Sequence, residues 1–135
     1  MGYCMDQRGS NFYISFNDIE NTLTAIKNLA GMETIKDSSG AHFSWVGTKE
    51  FLEASTLNEA FEAWRWNIAL DEEGSVVDLY FEGEKIGDDK ILFDAIAPYV
   101  KEGSFIEMQG EDGALWRWVF SNGECEERYA TIVWE

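Results

Sequence analysis

The sequence predicts a single α+β domain: a mostly antiparallel sheet of about five main strands with two or three helices packed on one face. Three observations carry that prediction. Apolar and polar residues alternate at strand period through 64–71, 75–82 and much of 104–134. Ile19, Leu23, Ile26 and Leu29, and later Ile91, Leu92, Ala95, Ile96 and Tyr99, recur at helical spacing. Turn residues punctuate the alternating runs, above all Asn122-Gly123, the signature of a type I′ hairpin turn. The 135 residues fit one domain, and with 45% hydrophobic and 15% aromatic residues they can build a core rich in rings.

Taken in order, residues 11–16 (NFYISF) read as a short strand from their aromatic and β-branched content. Asn17 with Glu20 forms a capping-box pattern that opens a helix over 17–30, and Gly31 stands where such a helix closes. Residues 32–40 are polar and end in Ser38-Ser39-Gly40, a loop, and residues 41–46 (AHFSWV) read as a second short strand. One or two helical turns fit 48–55. Thr56 with Glu59 is a second capping box, opening a short helix that buries Leu57, Ala60 and Phe61. Trp64, Trp66, Ile68 and Leu70 then alternate with Arg65, Asn67, Ala69 and Asp71, so a strand is expected from Trp64. Asp71-Glu72-Glu73-Gly74 turns the chain into a return strand over 75–82. After a loop at 83–87, Asp88 or Asp89 caps a third helix, which Pro98 helps to end. The remainder reads as a three-strand meander: 104–109, 114–121, and 124–134 with a break near Tyr129-Ala130. Trp64-Arg65-Trp66 and Trp116-Arg117-Trp118 hint at an internal repeat, but only the tripeptide matches.

Charge narrows the function classes. The chain has 26 acids against 10 bases, a net of −16. The imbalance is concentrated: residues 1–48 hold five acids and three bases (−2), whereas residues 49–135 hold 21 and seven (−14). Such a surface repels nucleic acid and anionic membrane, so neither is an expected direct partner. No apolar run approaches the roughly 18 residues of a membrane helix, and residues 1–10 lack the features of a secretory signal. Two cysteines, Cys4 and Cys125, fit inert packing in a reducing, cytoplasmic setting. His42 is the single histidine, no glycine-rich phosphate loop occurs, and no serine stands in a nucleophile elbow. Neither catalysis, a metal nor a cofactor is therefore expected.

Two sets of residues remain as candidates for binding. The first is acidic: Asp71, Glu72 and Glu73 in one turn, Glu111 and Asp112 in another, and Glu124, Glu126 and Glu127 after the Asn-Gly turn. Alternate residues on a strand lie roughly 6.8 Å apart on one face. A row of carboxylates could therefore imitate the phosphates of a nucleic-acid strand and occupy a basic protein surface. The competing explanation is solubility and protection of strand edges. The second set is Arg65 and Arg117, two of the four arginines, each between two tryptophans and expected on the opposite strand face. Arginine among aromatic rings suits an anionic or nucleotide-like ligand; the competing explanation is pairing with nearby carboxylates.

The start Met1-Gly2-Tyr3 with Gly9, and the finish Trp116-Arg117-Trp118-Val119-Phe120, Asn122-Gly123 and Ile132-Val133-Trp134, resemble a group of small uncharacterised proteins encoded by phages and other mobile elements of bacteria. That resemblance covers the two ends of the chain, and its motifs are structural. It implies a mobile-element origin and, from the company such proteins keep, an inhibitor of a nucleic-acid-binding host defence protein. It supplies no catalytic residues.

Overall fold

The computed structural model describes residues 2–38, 40–131 and 134. It is an α+β fold in which all the strand pairings are antiparallel. The described residues form β1 (Met5–Asn11), α1 (Ile19–Lys27), β2 (Ile35–Asp37), β3 (Gly40–His42), α2 (Thr48–Leu52) and α3 (Leu57–Ala63). Then follow β4 (Trp66–Leu70), β5 (Val76–Phe81), α4 (Asp89–Ile96), β6 (Phe105–Gly110), β7 (Leu115–Ser121) and β8 (Glu124–Tyr129). A four-stranded sheet runs β1-β6-β7-β8, and β2-β3 and β4-β5 are separate hairpins.

The meander forms as its alternation requires. On β7, Trp116, Trp118 and Phe120 are buried while Arg117 is exposed. Asn122 and Gly123 both have positive φ, 57° and 75°, the backbone of a type I′ turn. β8 ends at Tyr129, and Ile132 and Val133 of the expected longer strand lie outside the described residues. The Thr56–Glu59 capping box forms in full, and Leu57, Ala60 and Phe61 are buried behind it.

The N-terminal half differs from expectation. The first strand is not 11–16 but the polar stretch Met5–Asn11, which becomes a strand by pairing with β6. Phe12 and Ile14 are buried, yet they sit in extended chain that only bridges Val76 and Val100 at Ile14. The Asn17 capping box does not form. Ser15 instead caps a 3-10 turn over Phe16–Asp18, and α1 starts behind it at Ile19. The loop expected at 32–40 contains β2, which pairs with β3. The strand expected from Trp64 begins at Trp66, because Trp64 and Arg65 close α3 and Arg65 has φ 71°. The two Trp-Arg-Trp tripeptides are therefore not equivalent: one is a helix-to-strand turn, the other the middle of a strand.

A glutamine joins the β4-β5 hairpin to the main sheet. Gln7 Nε2 donates to the Leu79 carbonyl (2.9 Å), and its Oε1 accepts from the Phe81 N–H (2.7 Å). The side-chain amide thus stands in for a strand backbone. Ser10 Oγ, 2.5 Å from Asp78 Oδ1, continues the seam. Helix α4 covers the inner face: the Phe93 ring lies 5.2 Å from Trp66, 5.0 Å from Trp118 and 6.0 Å from Phe120. A second ring cluster, Phe43, Phe51 and Trp64, holds α2 and α3 to the body. Among the described residues no helix lies over the outer face of the main sheet, which presents Glu107, Arg117, Glu126 and Arg128. Among the described residues no helix is long and apolar enough to cross a membrane.

Candidate functional site

Apart from the half-buried Glu127, the acidic candidates are exposed, but they are not gathered. Gly110 pairs with Met5 and Phe105 with Asn11, so the Glu111–Asp112 turn lies at one end of the main sheet. The Ile14–Val76 bridge and the seam along β5 place the Asp71–Glu73 turn at the other end. The six residues of β6 between those ends span about 20 Å. Several of these carboxylates also serve the turns themselves. Asp71 Oδ1 accepts from the N–H groups of Glu73 and Ser75, each at 3.0 Å. Asp112 accepts from Tyr3 Oη and from the Ala114 N–H, which hold its carboxyl below the usual range. Glu111 accepts from the Cys4 N–H (2.8 Å). On β8, Glu126 pairs with Arg128 (2.8 Å), and Glu127 lies on the inner face, accepting from Trp118 Nε1 (2.8 Å) and Tyr129 Oη (2.7 Å). Glu72, Glu73 and Glu124 carry no hydrogen bond or ion pair from their carboxylates to other described residues. The row expected along β8 is therefore a mixed face, because the strand period turns Glu127 inward and sets Arg128 beside Glu126.

A denser acidic feature lies elsewhere. Helices α2 and α3, joined by a short capped turn, bring Glu50, Glu53, Glu59 and Glu62 around one concavity of about 470 Å³, floored by Ala54 and Ala63. All four glutamates are exposed, and none forms an ion pair with another described residue. Hydrogen bonds from Ser55 and Thr56 hold the Glu59 carboxyl below its ordinary value. Along the sequence Glu59 read as a capping-box residue and the other three as the polar side of two short helices, so no pattern joined them as a site.

Arg117 and Arg65 do not share a pocket. Arg117 stands on the open face of the main sheet, directly opposite Arg128 in the β7–β8 register. Its Nε donates to Glu107 Oε1 (2.8 Å), and its guanidinium lies 4.3 Å from the centre of the Phe105 ring. A shallow hollow of about 170 Å³ borders both arginines, with Glu107, Leu115 and Ala130. Arg65, in contrast, is turned inward by its left-handed backbone. Its Nη2 lies 3.2 Å from Asp89 Oδ2, and Nη1 donates to the Lys85 carbonyl (2.6 Å). Asp89, 1% exposed, also accepts from Trp66 Nε1 and the Gly87 N–H, both at 2.9 Å. Burial pushes the Asp89 carboxyl above its ordinary value, against the pull of Arg65 and these N–H donors. A cavity of about 320 Å³ borders Arg65 on its outer side and is walled by Trp45, Glu84 and Lys85. Both arginines thus pair with carboxylates, and each also borders its own concavity.

Among the described residues no three His, Cys, Asp or Glu side chains converge as metal ligands. Cys125 is buried, and its thiol is pushed up to about 12 by that burial. No family model, no curated protein and no solved structure matches the chain.

Proposed function

We propose that this protein works by binding rather than by turnover, docking on a basic protein surface through its carboxylates, with the α2–α3 concavity as the centre of contact. The observation that carries this reading is the convergence of Glu50, Glu53, Glu59 and Glu62 on one hollow without an ion pair from a described cation. Unneutralised carboxylates on two adjoining helices suit lysine and arginine side chains, and a field of −16 steers such a partner in from a distance. A nucleic-acid-binding protein offers that basic face. The resemblance of the chain ends to mobile-element proteins supports an inhibitor of host defence as the biological setting.

The test uses a partner captured from bacterial lysate at low ionic strength and then purified. Its affinity is measured against salt, against the triple variant Glu50→Gln/Glu53→Gln/Glu62→Gln, and against Glu72→Gln/Glu73→Gln/Glu124→Gln. Both variants remove three charges, and Glu59 is left to cap α3. Affinity should fall steeply with salt, and by about tenfold or more in the first variant only. Equal affinity at low and high salt, or equal losses in the two variants, would sink the proposal.

A further inference from the structure

We propose that the cavity walled by Trp45, Arg65 and Lys85 is a binding site for a planar aromatic ring carrying an anionic group. The proposal is independent of docking at α2–α3. It starts from the backbone. Among the described residues three non-glycine residues have positive φ: Asn122, Trp45 (66°) and Arg65 (71°). Asn122 is accounted for by its hairpin turn. Trp45 and Arg65 are bulky residues in a conformation that L side chains disfavour, and they are 20 residues apart in sequence. Both border the same cavity of about 320 Å³. Such conformations persist where the surroundings over-determine them, and they gather at binding sites.

The surroundings do over-determine them. The turn at Trp45 is closed by the Val46 N–H donating to the Phe43 carbonyl (3.1 Å), with Phe43 and Val46 buried on either side. The Ser44 N–H donates to Asp88 Oδ2 (2.8 Å), and Thr34 Oγ1 donates to the same oxygen (2.6 Å). The Arg65 N–H donates to the Glu62 carbonyl (2.8 Å), and its own carbonyl accepts from Glu82 (2.9 Å). Gly87 lets these parts meet. A Cβ there would lie 2.8 Å from the Ser44 carbonyl oxygen and 2.9 Å from both Arg65 Nη2 and Trp45 Cδ1.

The product of this arrangement is a tryptophan held outward, 53% exposed, beside two cations in a chain that has few. Lys85 Nζ lies 6.0 Å from the Trp45 ring centre, and its ion pair with Glu84 is long, at 3.7 Å, to a carboxylate 79% exposed. The Trp45 ring offers a stacking face to any planar ring, and the Lys85 ammonium, which stands over that ring, can exchange its long contact with the exposed Glu84 for an anionic substituent of the ligand. Arg65 Nε is buried without an acceptor among the described residues. Nucleoside monophosphates and aromatic carboxylates share this chemistry.

The experiment follows the Trp45 indole N–H signal by NMR, identified through Trp45→Phe, during titration with adenosine 5′-monophosphate and, separately, indole-3-acetate. Adenosine and inorganic phosphate serve as half-ligands. At least one full ligand should shift the signal saturably at millimolar concentration or below, with each half-ligand weaker by about tenfold or more. A response to the nucleotide alone, to the carboxylate alone or to both identifies the source. Lys85→Gln should weaken binding by about tenfold with the melting temperature unchanged. Trp45→Gly, read from the ligand's own NMR signals because the reporter indole is gone, should abolish binding while the protein stays folded, since glycine adopts this φ freely. No saturable shift with either full ligand, half-ligands that bind as well, or undiminished binding in Trp45→Gly would overturn the proposal.

Discussion

Separating Arg65 from Asp89 should be among the most damaging polar changes available in this fold. The two side chains are 16% and 1% exposed, with Nη2 and Oδ2 at 3.2 Å. Coulomb's law at that distance, with an effective dielectric of about 20, gives an attraction of about 5 kcal/mol. Water at the rim of Arg65 screens part of it, so the coupling expected from a double-mutant cycle is about 3 kcal/mol. Asp89→Asn should cost about 3–5 kcal/mol by itself, because it leaves a guanidinium in the wall without its anion and turns an NH₂ toward existing donors. Arg65→Gln should cost less, since the stranded carboxyl can take up a proton. Its pH dependence has a definite sign. Burial already lifts the Asp89 carboxyl above its ordinary value, and removing Arg65 lifts it further. A carboxyl raised in the folded state stabilises when protonated, so the deficit of Arg65→Gln should shrink as pH falls through the raised value toward the ordinary one. Urea unfolding followed by far-UV circular dichroism at several pH values reads both effects. A coupling under about 0.5 kcal/mol, or a deficit that does not change with pH, would refute the buried ion pair as described.

Other consequences can be checked with simpler assays. At about pH 8 a disulfide reagent should leave Cys125 untouched in the folded protein, because burial pushes its thiol up to about 12, and both thiols should react in urea. Cys4 should react slowly before unfolding, raised as it is by partial burial and by the Glu111 and Glu84 carboxylates. Asn122→Ala places a β-carbon at φ 57° and should cost about 1–2 kcal/mol in urea unfolding; an unchanged midpoint would contradict the type I′ turn.

Local chemistry made the C-terminal half legible. In β7 each residue's face follows from the strand period, and Asn122-Gly123 dictates the turn, so sequence and structure agree. The Thr56–Glu59 box fixed the start of α3 in the same way. The N-terminal strand was illegible because its strand character is imposed from outside. MDQRGSN has little intrinsic β preference, and it is extended because β6 offers it a ladder. Phe12 and Ile14 look more strand-like but are buried in a crossing between sheet and hairpin. For the candidate sites the limit lies in single residues. Alternation put Arg65 opposite its tryptophans, and one left-handed residue reversed that by turning it toward Asp89. Trp45 read as part of a strand over 41–46, but the strand covers only Gly40–His42 and Trp45 lies in the turn beyond it, where glycine or asparagine is usual. Asp89 read as a helix cap in an Asp88-Asp89 pair, and only the packing shows which of the two is buried.

Salt separates a functional acidic surface from one that serves only solubility. The acids occupy both ends of the main sheet and the α2–α3 hollow, so the folded chain carries its −16 charge at close quarters and repels itself. The Debye length falls from about 10 Å at 0.1 M to about 3 Å at 1 M, less than the separation of these clusters. Sodium chloride should therefore raise the unfolding midpoint of the isolated protein over that range. The same screening removes the attraction to a basic partner, so affinity should fall as stability rises. Opposite slopes against one variable are a demanding outcome, because loss of binding through partial unfolding would give slopes of the same sign. If stability and affinity fell together with salt, the weakening would reflect the fold, and the carboxylates would lose their claim to a partner.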